Sequence, residues 1–323
     1  MEKIRNKARK LKRTVVLPEG EEERSIRAAD IILREKIADL ILIGDPETIE
    51  RKSEQWKLDI SRAKLMNPAK SKFVHDFSAE YYRIRAHKGI TLEQAVETVK
   101  QPLFFGAMLV RWGIAHGSVA GAINTTGDVM RAAIQAIGLK EGIKIVSSSF
   151  MMVMPTGKVY MYSDAAVVPE PDAEQLASIA VSAADTHRAL VDEEPLVALL
   201  SFSTKGSAEH HTIDKVRQAL EIAKTMRPNL KIDGELQVDA AIIPAIGARK
   251  APGSLIAGNA NVFIFPDLNA GNIAYKITER LANARAIGPI VQGLAKPAFD
   301  LSRGCSAEDI VDVVAVNAVV SGS

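Results

Sequence analysis

Short apolar runs that alternate with helical faces constrain this chain more than any other feature. Residues 14–17 (TVVL) have the β-branched content of a strand that stops at Pro18, and Ile26, Ala29 and Leu33 then recur on one helical face. Residues 40–43 (LILI), closed by Gly44 and Pro46, form the next strand. Strand, helix and strand at this spacing make a βαβ unit, which requires a parallel sheet covered on both faces. The pattern returns in residues 261–303. There an apolar run at 262–265 ends at Pro266, Asp267, Asn269 and Gly271 supply turn chemistry, and Ile273, Ile277, Leu281 and Ala284 follow at helical spacing. Ile290 and Val291 lead to a second polar cluster, Asp300, Ser302, Arg303 and Gly304, just ahead of another helix. Polar residues thus gather at two strand-to-helix turns, where open α/β sheets hold their ligands.

Between these stretches, residues 81–99 read as helix in two pieces, broken near Gly89 and restarted at Thr91 with Glu93 and Gln94 behind it. The small-residue segment 117–127 leads into Asp128, expected to cap a helix through Ile137. That places Arg131 in a first turn, either pointing into water or sharing an anion with free N–H groups. Residues 159–162 and 165–168 read as a pair of strands, and Pro171 with Asp172 starts a helix whose face carries Leu176, Ile179, Ala180, Ala183, His187 and Leu190. Residues 196–200 form another strand. The PTGK turn at 155–158 lacks the upstream glycine and following Ser/Thr of a P-loop, and no GxGxxG turn occurs.

A chain of 323 residues, 47% hydrophobic and 25% charged, is expected to make a soluble protein of two domains. The first 13 residues carry seven basic side chains and one Glu, leaving 34 basic against 38 acidic elsewhere. The body is not the basic surface of a nucleic-acid binder, and no run approaches the ~20 apolar residues of a membrane span. The basic start reads as a solvated amphipathic helix. With Cys305 as the single cysteine, neither an intrachain disulfide nor a CxxC metal site is possible, and a reducing, cytoplasmic setting is expected. His210 and His211, being adjacent, point apart and read as a solvated pair.

Residues 201–207 (SFSTKGS), 233–241 (DGELQVDAA), 250–254 (KAPGS), 262–276 (VFIFPDLNAGNIAYK) and 288–310 (GPIVQGLAKPAFDLSRGCSAEDI) resemble the signature blocks of the phosphate acetyltransferases. The similarity extends to Leu17-Pro18-Glu19 and to residues 85–89 (RAHKG), so it covers essentially the full length. The resemblance implies an α/β fold of two three-layer αβα domains with mostly parallel sheets, like the isocitrate and isopropylmalate dehydrogenases. It implies a first domain of residues 1–142 plus 292–323, a second of 143–291, and an active-site cleft between them. The implied reaction is reversible acetyl transfer between acetyl phosphate and coenzyme A (CoA), with no metal or tightly bound cofactor, in a homodimer that binds neither nucleic acid nor membrane. By the same resemblance Asp309 takes the thiol proton, Arg303 stabilises developing charge and Ser302 donates a hydrogen bond. Arg24, Arg85, Arg131 and Arg280 match the arginines that bind CoA or phosphate.

The chemistry asks for such groups. A thiol with a pKa of about 8.5 needs a base near neutrality, and the charge gathered on carbonyl oxygen and phosphate calls for fixed cations and donors. Read without the resemblance, Asp309 belongs to a capping box begun by Ser306, Arg280 is a cation late in a helix, Arg24 and Arg85 are solvated charges, and Cys305 is a rival nucleophile. The chain departs from the family pattern at residues 124–128 (NTTGD), at Ala132 and at Phe299, where Asn is usual. Competing identities are a phosphate butyryltransferase, a metal- and NADP-dependent hydroxyacid dehydrogenase, and a noncatalytic CoA-binding module.

Overall fold

The computed structural model describes residues 1–322. Two compact units comprise Met1–Gly138 with Leu294–Ser323, and Leu139–Gly293. The first opens with α1 (Glu2–Leu11), β1 (Thr14–Leu17), α2 (Glu23–Arg34), β2 (Asp39–Ile43), α3 (Pro46–Gln55) and β3 (Lys64–Met66). It continues with α4 (Val74–Arg85), α5 (Leu92–Val99), α6 (Pro102–Arg111), β4 (Gly117–Ala120) and α7 (Thr126–Ala136). The second unit runs through β5 (Ser147–Val153), β6 (Val159–Ser163), α8 (Ala173–Leu190), β7 (Val197–Leu200), α9 (His211–Met226) and β8 (Ile232–Leu236). It ends with α10 (Val238–Ile242), α11 (Pro244–Lys250), β9 (Val262–Ile264), α12 (Leu268–Leu281) and β10 (Arg285–Gln292). The chain then returns to the first unit as β11 (Ala298–Asp300) and α13 (Ala307–Val320).

In the first unit all ladders of the sheet β11-β4-β1-β2-β3 are parallel. Val15, Val16 and residues 40–43 are buried, as the continuous apolar runs require of strands covered on both faces. Ile26, Ala29, Ile32 and Leu33 of α2, with Phe105, Met108 and Leu109 of α6, complete the core, each large side chain contributing about 1.5–3 kcal/mol of burial. The connection from β1 runs through α2 to β2 on one side, whereas β4 leads toward β11 on the other. The crevice beyond the ends of β1 and β4 is therefore the sheet's topological switch point, where ligands of such sheets bind.

Two readings of this unit need correction. Thr125, not Asp128, caps α7: its side chain accepts from the Asp128 N–H at 3.2 Å, so Asp128 sits in the first turn and Arg131 one turn further in. The basic N-terminal helix is not wholly solvated. Ile4 and Ala8 are buried, and Arg5 Nε and Nη2 donate to Asp312 Oδ1 at 2.9 and 2.6 Å, tying α1 to α13. The restart at Thr91 is realised as a capping box with Gln94 at the head of α5.

The second sheet, β10-β5-β6-β9-β7-β8, is antiparallel across its first three strands and parallel across the rest. Its core includes Phe150, Met152, Ala198, Leu200, Leu236 and Phe263, and α8 is buried along most of its length. The helix predicted from Asp172 is present, capped by Asp172 with Gln175. Residues 165–168 are a loop, not a strand. The Asp164 carboxylate takes the N–H groups of Ala166 (3.1 Å) and Val168 (2.7 Å) that a ladder would need, while Ala165 and Val168 are still buried and so look strand-like in sequence.

β8 was hidden by its charges, Asp233 and Glu235, each of which has a partner in the fold. Glu235, 3% exposed, accepts from Gly206 N at 2.8 Å, Ser203 Oγ at 3.0 Å, and Arg217 Nε and Nη2 at 3.1 Å each. Burial alone would raise its pKa, but these donors outweigh it and leave the carboxyl at about 2. A depressed carboxylate stabilises the fold above its unfolded value of 4.5, and that stabilisation is lost as pH falls through about 2. Glu235→Gln is expected to lower the hydrogen-exchange protection of β7 and β8 by about 3 kcal/mol at pH 7, with the difference from wild type vanishing near pH 2. Equal protection at pH 7 would refute this account.

Candidate active site

Two charged side chains from the loop after β1, Glu19 and Glu22, lie at the switch point of the first sheet, Glu22 accepting from the backbone and guanidinium of Arg24. Glu19, 6% exposed, accepts five hydrogen bonds from the loop after β4. Its Oε2 takes Gly121 N (2.9 Å) and Ala122 N (2.8 Å), and Oε1 takes Ile123 N (3.1 Å), Asn124 N (2.9 Å) and Asn124 Nδ2 (2.8 Å). A buried carboxylate thus gathers four successive backbone donors and orients the entry to α7. Gly121 has φ +117°, and a Cβ there would lie 2.6 Å from Asp300 Oδ1 and 2.6 Å from Leu301 O, so this position requires glycine.

Asp300 closes β11. Its Oδ2 accepts from Thr126 Oγ1 at 2.6 Å, and its Oδ1 is buried without a partner. Burial raises its pKa, opposed by the Thr126 hydroxyl and reinforced by the Glu19 charge. Phe299 beside it is 1% exposed, packed in β11 where an amide would have to be desolvated.

Beyond β11 the chain makes a tight turn carrying Ser302, Arg303, Gly304 and Cys305. Cys305 N donates to Ser302 O at 2.9 Å, and Gly304 N to Ser302 Oγ at 3.2 Å. Ser302 and Arg303 are exposed, and among the described residues the Arg303 guanidinium has no hydrogen-bond or ion-pair partner. Asp309, also exposed, forms the capping box expected from its spacing to Ser306: its Oδ2 accepts from Ser306 N at 2.9 Å and Ser306 Oγ at 2.8 Å, while Ser306 Oγ takes Asp309 N at 3.2 Å. Only Oδ2 is used in this box, so the carboxylate retains a second oxygen. Cys305 is 8% exposed, and burial pushes its thiol pKa up against the opposing charge of Arg24.

The four expected anion-binding arginines do not share one environment. Arg131 is exposed, with Nη1 2.9 Å from Asp128 Oδ1. Arg85, at the end of α4, is half-buried with an unpartnered Nε, and α4 is joined to α7 by Tyr81 Oη donating to Gln135 Oε1 at 2.8 Å. Arg24 reaches into the turn itself, Nη1 lying 2.7 Å from Arg303 O. Arg280, in the second unit, is exposed and 3.6 Å from Glu279. Glu19 and Glu22, which organise the site, were not legible individually; Leu17-Pro18-Glu19 is conspicuous only as part of the resemblance.

The second unit has its own switch point between β7 and β9, whose connections leave in opposite directions. A cavity of about 380 Å³ lies there, lined by Ser201, Phe202, Thr212, Lys215, Asp267 and Asn269 among others. It brings together the SFSTKGS and PDLNAGN blocks.

The parallel sheet, its switch-point loops, a turn presenting the Arg303 guanidinium and the Ser302 hydroxyl, and the Asp309 carboxylate at the head of the following helix define an α/β protein with polar groups gathered at the end of its first sheet. The chain belongs to the phosphate acetyl/butaryl transferase family, whose sequence model matches residues 1–318. It is 52% identical to the phosphate acetyltransferase of Thermoanaerobacterium thermosaccharolyticum, over 99% of this chain and 98% of that one. A solved phosphotransacetylase from Streptococcus pyogenes superposes with a TM-score of 0.94 at 41% identity, covering 99% of this chain and 97% of that one. A putative 4-hydroxythreonine-4-phosphate dehydrogenase from Salmonella typhimurium, at 10% identity and TM-score 0.57 over 96% and 99% of the chains, shares the fold, in line with the dehydrogenase-like architecture expected.

Proposed function

We propose that this protein catalyses reversible acetyl transfer between acetyl phosphate and CoA. The observation that carries the reading is the full-length family match to a chain in which Ser302, Arg303 and Asp309 lie exposed on one turn and its following helix. In the thioester-forming direction Asp309 takes the CoA thiol proton and the thiolate attacks the acetyl carbonyl carbon. Arg303 and the Ser302 hydroxyl stabilise the oxyanion, and the carbon–oxygen bond to phosphate then breaks, releasing inorganic phosphate. Transfer is direct: the buried Cys305 thiol, its pKa raised, is a poor nucleophile. Arg85, Arg131 and Arg280 act as cationic contacts for phosphate groups of CoA or acetyl phosphate.

The reaction as written uses CoA as substrate and no metal or tightly bound cofactor. Thioester formation from acetyl phosphate and CoA by purified protein, with a divalent chelator present and butyryl phosphate as the competitor acyl donor, tests all of this. Absence of turnover with acetyl phosphate, or a preference for the butyryl donor, would overturn the acetyl assignment.

We also propose a homodimer in a cytoplasmic setting. Along α12, Ile273, Ile277 and Leu281 are 56%, 51% and 81% exposed, an outward apolar row that a second copy would cover. Sedimentation should show a dimer for the parent and a monomer for Ile277→Glu; a monomeric parent refutes the pairing. A single cysteine supports the cytoplasmic setting, which fractionation of native cells would check. Among the described residues no helix is long and apolar enough to cross a membrane.

A further inference from the structure

Arg24 differs from the other arginines in what it touches. Its Nε lies 2.7 Å from Glu22 Oε1, its Nη1 donates to Arg303 O at 2.7 Å and Cys305 O at 2.9 Å, and its Nη2 donates to Ala122 O at 2.7 Å. Of the five N–H groups a guanidinium carries, one is left. Three acceptors are backbone carbonyls from two loops that are far apart in sequence: the loop after β4, whose N–H groups Glu19 already holds, and the turn after β11 that bears Ser302 and Arg303.

Glu22 aims the fork, since it caps α2 through Arg24 N (2.6 Å) and Ser25 N (3.1 Å) while pairing with the guanidinium. One side chain from the first turn of α2 therefore joins the ends of β4 and β11 at the switch point. A phosphate ligand needs a spread of donors facing solvent, which Arg24 has already committed to carbonyls.

We propose that Arg24 is a positioning residue that clamps the turn carrying Ser302 and Arg303 in its working geometry, and is not a ligand for a CoA phosphate. The proposal rests on the acetyltransferase reading for its effect on catalysis, but not for its effect on the turn. Lysine cannot substitute, because an ammonium presents its donors from one point and lacks the planar fork that spans separated carbonyls.

The single cysteine provides a reporter that is independent of activity. Cys305 is buried and its carbonyl is held by Arg24, so a released turn exposes the thiol. The Arg24 charge lowers the Cys305 pKa, so losing it reduces the thiolate fraction. Faster labelling in a variant must then come from exposure.

The experiment compares the full-length parent with Arg24→Gln and Arg24→Lys. With folding checked by thermal melting, both variants should label with an aromatic disulfide reagent about tenfold faster or more. In the acetyl phosphate assay both should lose on the order of 100-fold in kcat. KM for CoA should stay within about twofold of the parent, and the ratio of KM values for CoA and for dephospho-CoA, which lacks the 3′-phosphate, should not change. Unchanged labelling, unchanged kcat, or a raised KM for CoA with that ratio collapsed would each overturn the clamp. Failure of both variants to fold would also overturn it, by making Arg24 a folding residue. A parent without turnover would sink the functional reading, while the labelling rates would still judge the hold on the turn.

Discussion

Arg303→Gln is expected to fold like the parent and to lose about 10²- to 10³-fold in kcat, some 3–4 kcal/mol of transition-state stabilisation. The guanidinium is exposed and has no protein partner among the described residues, so its removal breaks no contact that holds the fold. Its cost falls on the reaction, where charge passes from the attacking thiolate to the carbonyl oxygen and the departing phosphate. Glutamine keeps length and some hydrogen bonding but not the charge, which makes the charge the tested quantity. Steady-state kinetics with both substrates, alongside a melting curve, provide the comparison. A kcat within about threefold of the parent would remove Arg303 from the mechanism.

Asp309→Asn separates two roles that one residue holds. In the capping box the Asp309 side chain only accepts, through Oδ2, from Ser306 N and Ser306 Oγ. An Asn side-chain oxygen accepts equally well, so the head of α13 should survive with little change in melting temperature. An amide cannot take a proton from a thiol near neutrality, so kcat should fall by about 10²- to 10⁴-fold. The loss should lessen as pH approaches the thiol's own pKa of about 8.5, where less base is needed. A variant with normal kcat would leave Asp309 a cap and nothing more. A variant with a collapsed melting temperature would show that the cap had been underestimated.

These two tests address residues whose chemistry could be named from the sequence, though not their surroundings. Ser306 and Asp309 stand three apart, so their capping box was visible as a spacing, and the structure forms it; the sequence could not say that one carboxylate oxygen stays uncommitted. Arg24 shows the opposite case. As a cation in a charged stretch it looked solvated, and by resemblance it looked like a phosphate contact. Besides the neighbouring Glu22, its partners prove to be carbonyls of residues 122, 303 and 305, invisible to any local pattern.

Elements whose cause is local were legible. β1 and β2 follow from β-branched runs bounded by Pro and Gly, α5 from Thr91 with Gln94, and α8 from Asp172, because period and caps act within a few residues. The turn expected over Asp267, Asn269 and Gly271 is shorter than the residue types suggest: Asp267 caps α12, and Asn269 and Gly271 lie inside the helix. Elements stabilised by distant partners were not. β8 carries Asp233 and Glu235 inside a strand because Lys205, Ser254 and Arg217 meet them there, and residues 165–168 leave the sheet because Asp164 takes their N–H groups. The sequence therefore established an α/β chain with ligand-ready turns. The register of those turns at the switch point, the four amides gathered by Glu19 and the hold of Arg24 on the Arg303 turn arose only when the sheet brought β1, β4 and β11 side by side, because a hydrogen bond acts across ångströms and is blind to separation along the chain.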